Sequence, residues 1–148
     1  DFVIPRLSRV YGPTMLASDS KAISQFIRKA AAGEDIVLKS EGNQKYSYTF
    51  VTDAVAGILY CLLLGESGEA YNAADEKSDI SLKDLAEYLA QIAGTKVIFE
   101  LPDEKERRGY STATKAMLDA GKLEKLGWCP RVHIAEGLQC TVEVLKNI

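Results

Sequence analysis

Short strand-like segments alternate with helix-like segments along almost the whole chain, and this alternation restricts the fold more than any other feature. Apolar residues at helical spacing, such as Ile23, Phe26, Ile27 and Ala30, mark the helices. Short apolar or alternating runs, such as YSYTFV at 46–51, mark the strands. The predicted order is strand, helix, strand, strand, helix, strand, helix, strand, helix, helix, which is typical of an α/β protein. The predicted strands are 2–11, 35–39, 46–51, 69–73 and 97–101, and the predicted helices are 21–32, 54–64, 82–93, 119–126 and 134–148.

Short polar residues and glycines predict where these helices begin and end. Ser81 opens SLKD, a variant of the capping box, and Thr52–Asp53 precedes the helical repeat that follows. Ser18–Ser20 is the predicted cap of the first helix, and Gly33 is its predicted stop. Because the predicted elements are joined by short connections, residues 1–148 are expected to form one unit.

The composition excludes several classes of protein. The net charge of −3 argues against a nucleic-acid binder, which normally carries a basic excess. The longest apolar run, AVAGILYCLLLG at 54–65, is far shorter than the roughly 18 residues of a membrane span and predicts a buried helix. Three cysteines without metal-ligand spacing and a single histidine do not predict a zinc site. We expect reduced, mostly buried thiols in a cytoplasmic protein.

Three other side chains have structural interpretations. Trp128, in a Leu-Gly-Trp sequence, is expected to pack in the core. Asp75 is expected in a loop, and His133 is expected to cap the last helix or face solvent, without a carboxylate partner.

Four segments carry sequence motifs in a fixed order. They are RLSRVYGP at 6–13, EGNQKYSYTFVTDAVAGI at 41–58, GEAYNAADEKSDISLKDLAEYLAQIAG at 68–94 and DAGKLEKLGWCPRVHIAEGLQCTVE at 119–143. Together they resemble the C-terminal half of the extended short-chain dehydrogenase/reductase family, which contains the NAD(P)-dependent nucleotide-sugar epimerases and dehydratases. The resemblance implies the last strands of a Rossmann-like sheet together with a small α+β substrate-binding subdomain.

The resemblance also implies a division of labour, in which this half selects a nucleoside-diphosphate sugar and another half carries NAD or NADP. Dinucleotide binding needs a glycine-rich turn, and the 148 residues contain no Gly-x-Gly. The catalytic tyrosine of the family lies four residues before a lysine, and none of the seven tyrosines here has that lysine. We therefore expect a fragment that binds no cofactor and catalyses nothing alone, from a parent enzyme that oxidises the C4 hydroxyl of the sugar and forms a homodimer.

Candidate substrate contacts follow from the positions that match the family motifs. Arg9 stands where the family usually has Asn, and its planar guanidinium suits a phosphate or a sugar carboxylate. Tyr11 belongs to the turn at the rim of the predicted crevice. Gln44, Lys45 and Tyr46 belong to the Gly-x-Gln-x-Arg-like loop, in which Tyr46 replaces the family arginine.

A paired arginine, Arg107 and Arg108, is the nearest match to the family arginine that reaches the diphosphate, although the spacing to Asp119 differs. Either one is a candidate, and a solvated charged loop is the alternative. Epimerase, dehydratase, decarboxylase and reductase chemistry all remain open for the parent. So do a non-catalytic nucleotide-sugar-binding module and a reductase with a non-nucleotide substrate.

Overall fold

The computed structural model describes residues 1–100 and 114–147 and confirms the α/β class. Its strands are β1 (Ile4–Leu7), β2 (Arg9–Tyr11), β3 (Ile36–Leu38), β4 (Lys45–Phe50), β5 (Ala70–Ala73), β6 (Asp75–Ser81), β7 (Val97–Phe99) and β8 (Lys115–Ala116). Its helices are α1 (Ala22–Ala32), α2 (Val51–Leu64), α3 (Leu82–Ala93), α4 (Gly121–Glu124) and α5 (Ile134–Lys146).

The strands form three small sheets within the described residues. β1 pairs in parallel with β5, and β3 pairs in parallel with β7. In the largest sheet β4 lies between parallel β2 and antiparallel β6. β8 also pairs in parallel with β4, opposite Lys45 and Tyr46, so that β2 and β8 follow one another along the same edge of β4.

Two apolar cores hold these elements together. The larger core lies between β2–β4 and helices α1, α3 and α5, and the face of α1 that it buries is the predicted one: Ile23, Phe26, Ile27 and Ala30. The smaller core joins α2 to β5 and α4 around Trp128, which is 1% exposed, as predicted.

The helix stops were predicted more accurately than the helix starts. Gly33 and Gly94 follow α1 and α3 with φ of 70° and 71°, a backbone region that favours glycine. Ser81 caps α3, since its Oγ accepts a hydrogen bond of 3.0 Å from the amide of Asp84. The caps predicted for the other two helices are wrong: α1 begins after Lys21 and α2 begins after Phe50, each without a side-chain cap.

Two strand predictions need correction. The segment 2–11 is two strands, because Ser8 ends β1 and the chain enters a different sheet at Arg9. β6 was not predicted, because DEKSDIS has no apolar alternation. Its buried residues Asp75, Ser78 and Ser81 are polar and are satisfied by hydrogen bonds instead.

Helix α2 is not buried as expected. It buries small residues (Ala54, Gly57 and Cys61), of which Cys61 belongs to the smaller core, and exposes larger ones, including Leu62 at 68% and Leu63 at 74%. The prediction of mostly buried thiols is also wrong, since only Cys61 is buried. No helix in the described part of the chain is long and apolar enough to cross a membrane.

Candidate functional site

The candidate site begins at the junction where β1 ends and β2 begins. The amide of Ser8 donates to the carbonyl of Ala73 at the end of β5 (3.1 Å), and the Ser8 hydroxyl lies 2.6 Å from that of Thr49 on β4. Ser8 therefore joins the β1–β5 pair to the largest sheet. Because β1 and β5 are parallel, their carboxyl ends meet at this junction, and α/β sheets bind ligands at such ends.

Arg9, the residue after this junction, lies against an aromatic face. Its guanidinium carbon is 3.4 Å from the centroid of the Tyr46 ring, a cation–π contact between two of the predicted site residues. Tyr46 is 6% exposed and its neighbour Tyr48 is 1% exposed, so both rings are held in place by the packing around them. Burial raises the pKa of Tyr48 well above its usual range, while the nearby charge of Arg9 acts in the opposite direction. Tyr48 is therefore neutral.

Tyr11 lies deeper than a rim residue, at 2% exposure. Its ring makes edge contacts with Tyr48 and Phe50, at centroid distances of 6.5 and 5.6 Å. Its hydroxyl has no hydrogen-bond partner in the described residues and points at Gly137, where an added Cβ would lie 2.2 Å from it. Burial, and then the charges of Asp75 and Asp53, raise its pKa far above the ordinary value.

The loop residues lie at the start of β4. The carbonyl of Gln44 accepts from the amide of Leu82 (3.0 Å), and the amide of Lys45 donates to the carbonyl of Thr114 (3.0 Å). Lys45 is exposed and stands opposite Lys115 of β8 in the parallel register. The structure thus brings together Arg9, Tyr46 and Tyr11 on one face of the largest sheet. Lys45, at the start of β4, alternates to the other face. Arg107 and Arg108 lie outside the described residues.

A buried polar cluster beside Tyr11 was missed. Asp75 is 1% exposed and accepts from three groups: the amide of Lys77 (3.0 Å), the hydroxyl of Ser78, and Nδ1 of His133 (2.8 Å). The expectations that Asp75 lies in a loop and that His133 has no carboxylate partner are both wrong. Since the two residues are 58 positions apart, no local pattern could have found the pair.

Asp53 has a different role from the predicted cap. It lies in the first turn of α2, is 5% exposed, and its Oδ2 accepts from the amides of Arg131 (3.0 Å) and Val132 (2.9 Å). Its carbonyl accepts from Nε1 of Trp128 (3.1 Å). Asp53 and Asp75 thus bind residues 131–133, which lead into α5. Helix α5 in turn packs against Tyr11.

A comparison with known protein families identifies the family of the chain. The model of the "NAD dependent epimerase/dehydratase family" matches residues 1–74, which is half of the 148-residue chain. The chain belongs to this family. The family resemblance stated from the motifs is therefore confirmed. The nucleotide-sugar substrates and the isomerase, lyase and oxidoreductase reactions expected of that family fit the relatives that the chain matches.

Similar proteins match the chain over nearly all of its length. UDP-glucuronic acid decarboxylase 5 of Arabidopsis thaliana is 30% identical over 139 residues, which cover 91% of this chain and 38% of that protein. The UDP-glucose 4-epimerase of Thermotoga maritima, solved with UDP-glucose, superposes with a TM-score of 0.84 at 25% identity and covers 98% of this chain and 46% of that one. A dTDP-glucose 4,6-dehydratase of Streptomyces venezuelae with NAD bound gives 0.82 at 26% identity, covering 98% and 44%. This family member thus spans less than half the length of these relatives.

Proposed function

We propose that this chain is the substrate-recognition half of an NAD(P)-dependent nucleotide-sugar epimerase or dehydratase. In this proposal it binds a nucleoside-diphosphate sugar, and residues outside the chain oxidise the C4 hydroxyl of that sugar. The observation that carries the proposal is the coverage, because 91% of the chain aligns with only 38% of a decarboxylase that acts on a nucleotide sugar.

The sequence motifs support the same division between a substrate-binding half and a cofactor-binding half. Neither Gly-x-Gly nor Tyr-x-x-x-Lys occurs in the 148 residues. In this proposal the pyrophosphate turn and the catalytic base of the family therefore come from residues outside the chain. We infer that NAD or NADP binds to the parent enzyme, a cytoplasmic homodimer, and that the single unit 1–148 neither holds the cofactor nor turns over substrate.

The exposed apolar side chains favour a further layer of protein packed against this chain. Parallel sheets in α/β proteins are normally covered on both faces, yet β1 leaves Ile4 and Leu7 44% and 41% exposed. Leu62 and Leu63 of α2, a helix that contacts β1, are also exposed. A dinucleotide-binding layer packed on β1 and α2 would remove this surface from water.

The proposed sugar site is formed by the residues that the motifs indicated. Arg9 and Tyr46 offer a cation on an aromatic ring, and Tyr11 makes an edge contact with the neighbouring Tyr48. Gln44 and Lys45 lie at the start of β4. Arg107 and Arg108 complete the proposal as candidate ligands of the diphosphate.

Isothermal titration of the 148-residue chain tests this function. UDP-glucose, UDP-glucuronate, dTDP-glucose, GDP-mannose and NAD would be titrated separately, with UDP alone as the control for the nucleotide. We expect at least one nucleotide sugar to bind while NAD gives no heat and no substrate turns over. Tight binding of NAD, or turnover, would contradict the division of labour. Binding of no nucleotide would favour a reductase with a different substrate.

A further inference from the structure

Arg9 differs from the other cations of the described residues in how it is held. It is half-buried, and no carboxylate of residues 1–100 or 114–147 lies within ion-pair distance of it. Cations at buried positions are normally paired. Here the only compensation in the described residues is the Tyr46 ring beneath the guanidinium.

The stacking geometry leaves the hydrogen-bonding groups of Arg9 available. A guanidinium presents its five N–H donors in its own plane, and a ring 3.4 Å away occupies one face of that plane. The edge of the guanidinium therefore stays free to form two parallel hydrogen bonds with a planar oxyanion. Stacking also restricts the side chain, which lowers the entropy lost when a ligand binds.

The charges nearby indicate which oxyanion fits. Side chains alternate along a strand, so Lys45 points to the face of β4 opposite Tyr46, where its register partner is Lys115. These two lysines therefore add no charge to the face on which Arg9 lies. On the Arg9 face the neighbours Tyr46 and Tyr48 are phenols, and Tyr48 is neutral. Arg9 thus offers a single positive charge, which balances one carboxylate.

We propose that Arg9, stacked on Tyr46, recognises the carboxylate of the sugar, and that the substrate of the site is a nucleoside-diphosphate uronic acid. This inference rests on the proposed function and names its substrate class. One relative acts on such a sugar, UDP-glucuronic acid, whereas the Thermotoga maritima neighbour holds UDP-glucose, whose sugar carries no carboxylate.

The test compares UDP-glucuronate, UDP-glucose and UDP on the wild-type chain and on Arg9→Gln by isothermal titration. We expect the wild type to bind UDP-glucuronate more tightly than UDP-glucose, and Arg9→Gln to weaken the uronate by about 10-fold to 100-fold, the range of a lost charged hydrogen bond. Affinity for UDP-glucose and UDP should stay the same.

Two further variants serve as controls. Arg6→Gln removes the same charge from an exposed position on β1 and should leave the preference intact. Arg9→Lys keeps the charge but loses the planar fork, and should retain only part of the preference. Thermal melts followed by circular dichroism establish that each variant is folded.

The outcomes separate the inference from the proposed function. If the wild type binds both sugars equally, or if Arg9→Gln weakens UDP and both sugars alike, Arg9 binds the diphosphate and the inference is overturned while the proposed function stands. If none of the three ligands binds the wild type but dTDP-glucose or GDP-mannose does, the inference is overturned while the proposed function stands. If no nucleotide sugar binds, both fail.

Discussion

Asp53 is the residue on which the entry into α5 depends, and its replacement gives a sharp prediction. One carboxylate oxygen, Oδ2, accepts both the Arg131 and the Val132 amides, at 3.0 and 2.9 Å. A hydrogen bond to a charged group contributes about 1.5–3 kcal/mol. Because Arg131 is exposed, water can replace the carboxylate at its amide. We therefore expect Asp53→Ala to lower the free energy of unfolding by about 2–4 kcal/mol rather than by twice the value of a single bond.

Asparagine at the same position should be tolerated much better. Since both amides donate to one oxygen, the single carbonyl oxygen of an Asn side chain can accept both. Asp53→Asn then loses only the charge, whose interaction with the start of α2 contributes about 0.3–1 kcal/mol, and the charged share of the two bonds. We expect a total loss of about 1 kcal/mol.

Urea unfolding followed by the fluorescence of Trp128, the single tryptophan, measures both variants. Asp84→Asn is the control, because Asp84 lies in the first turn of α3 but is exposed. Asp84→Asn should lower the free energy of unfolding by no more than about 1 kcal/mol, which is the contribution of a charge at a helix start. The reasoning is refuted if Asp53→Ala costs no more than this control, or if Asn and Ala at position 53 are equally destabilising.

Three more predictions follow from described contacts. Gly137→Ala should destabilise the chain by about 1–2 kcal/mol in urea unfolding, because the gain in helix propensity is smaller than the cost of a Cβ placed 2.2 Å from the Tyr11 hydroxyl; a stabilised variant would show that Tyr11 moves aside freely. Hydrogen bonds to Asp19, the largest from the Lys21 amide, lower its pKa below the ordinary 3.8, so its contribution to stability is complete above pH 3.8 and lost as the pH falls further. The urea midpoint should therefore fall less between pH 6 and pH 3 in Asp19→Asn than in the wild type, and equal falls would contradict this. In Ellman titration two thiols should react quickly and Cys61 only on unfolding, since burial protects it and raises its pKa; three fast thiols would show that the smaller core opens readily.

The sequence predicted those parts of the fold that depend on local chemistry. The helical spacing of Ile23, Phe26, Ile27 and Ala30 gave the buried face of α1, and Ser81 gave the start of α3. These features need only a helix repeat or one capping side chain, so neighbouring residues determine them.

The features that the sequence did not predict depend on contacts between residues that are distant in the chain. β6 is stabilised by pairing with β4 and by the polar partners of Asp75, neither of which leaves an apolar pattern in DEKSDIS. Asp53 sits in a position typical of a cap, yet its acceptor oxygen is used by amides 78 and 79 residues away. The stacking of Arg9 on Tyr46 likewise arises only because β2 and β4 are neighbours.

The junction at Ser8 has a consequence for changes in chain length. A single residue separates the strand bound to β5 from the strand bound to β4, and both flanking registers are fixed. Inserting or deleting one residue there would rotate β2 by one step and exchange its two faces. The contact of Arg9 with Tyr46 and the contact of Tyr11 with Gly137 would then be lost. Val10 would lie on that face of the strand in their place. Related sequences that keep this pairing should accept insertions in the turn at 65–68 and none between residues 7 and 9.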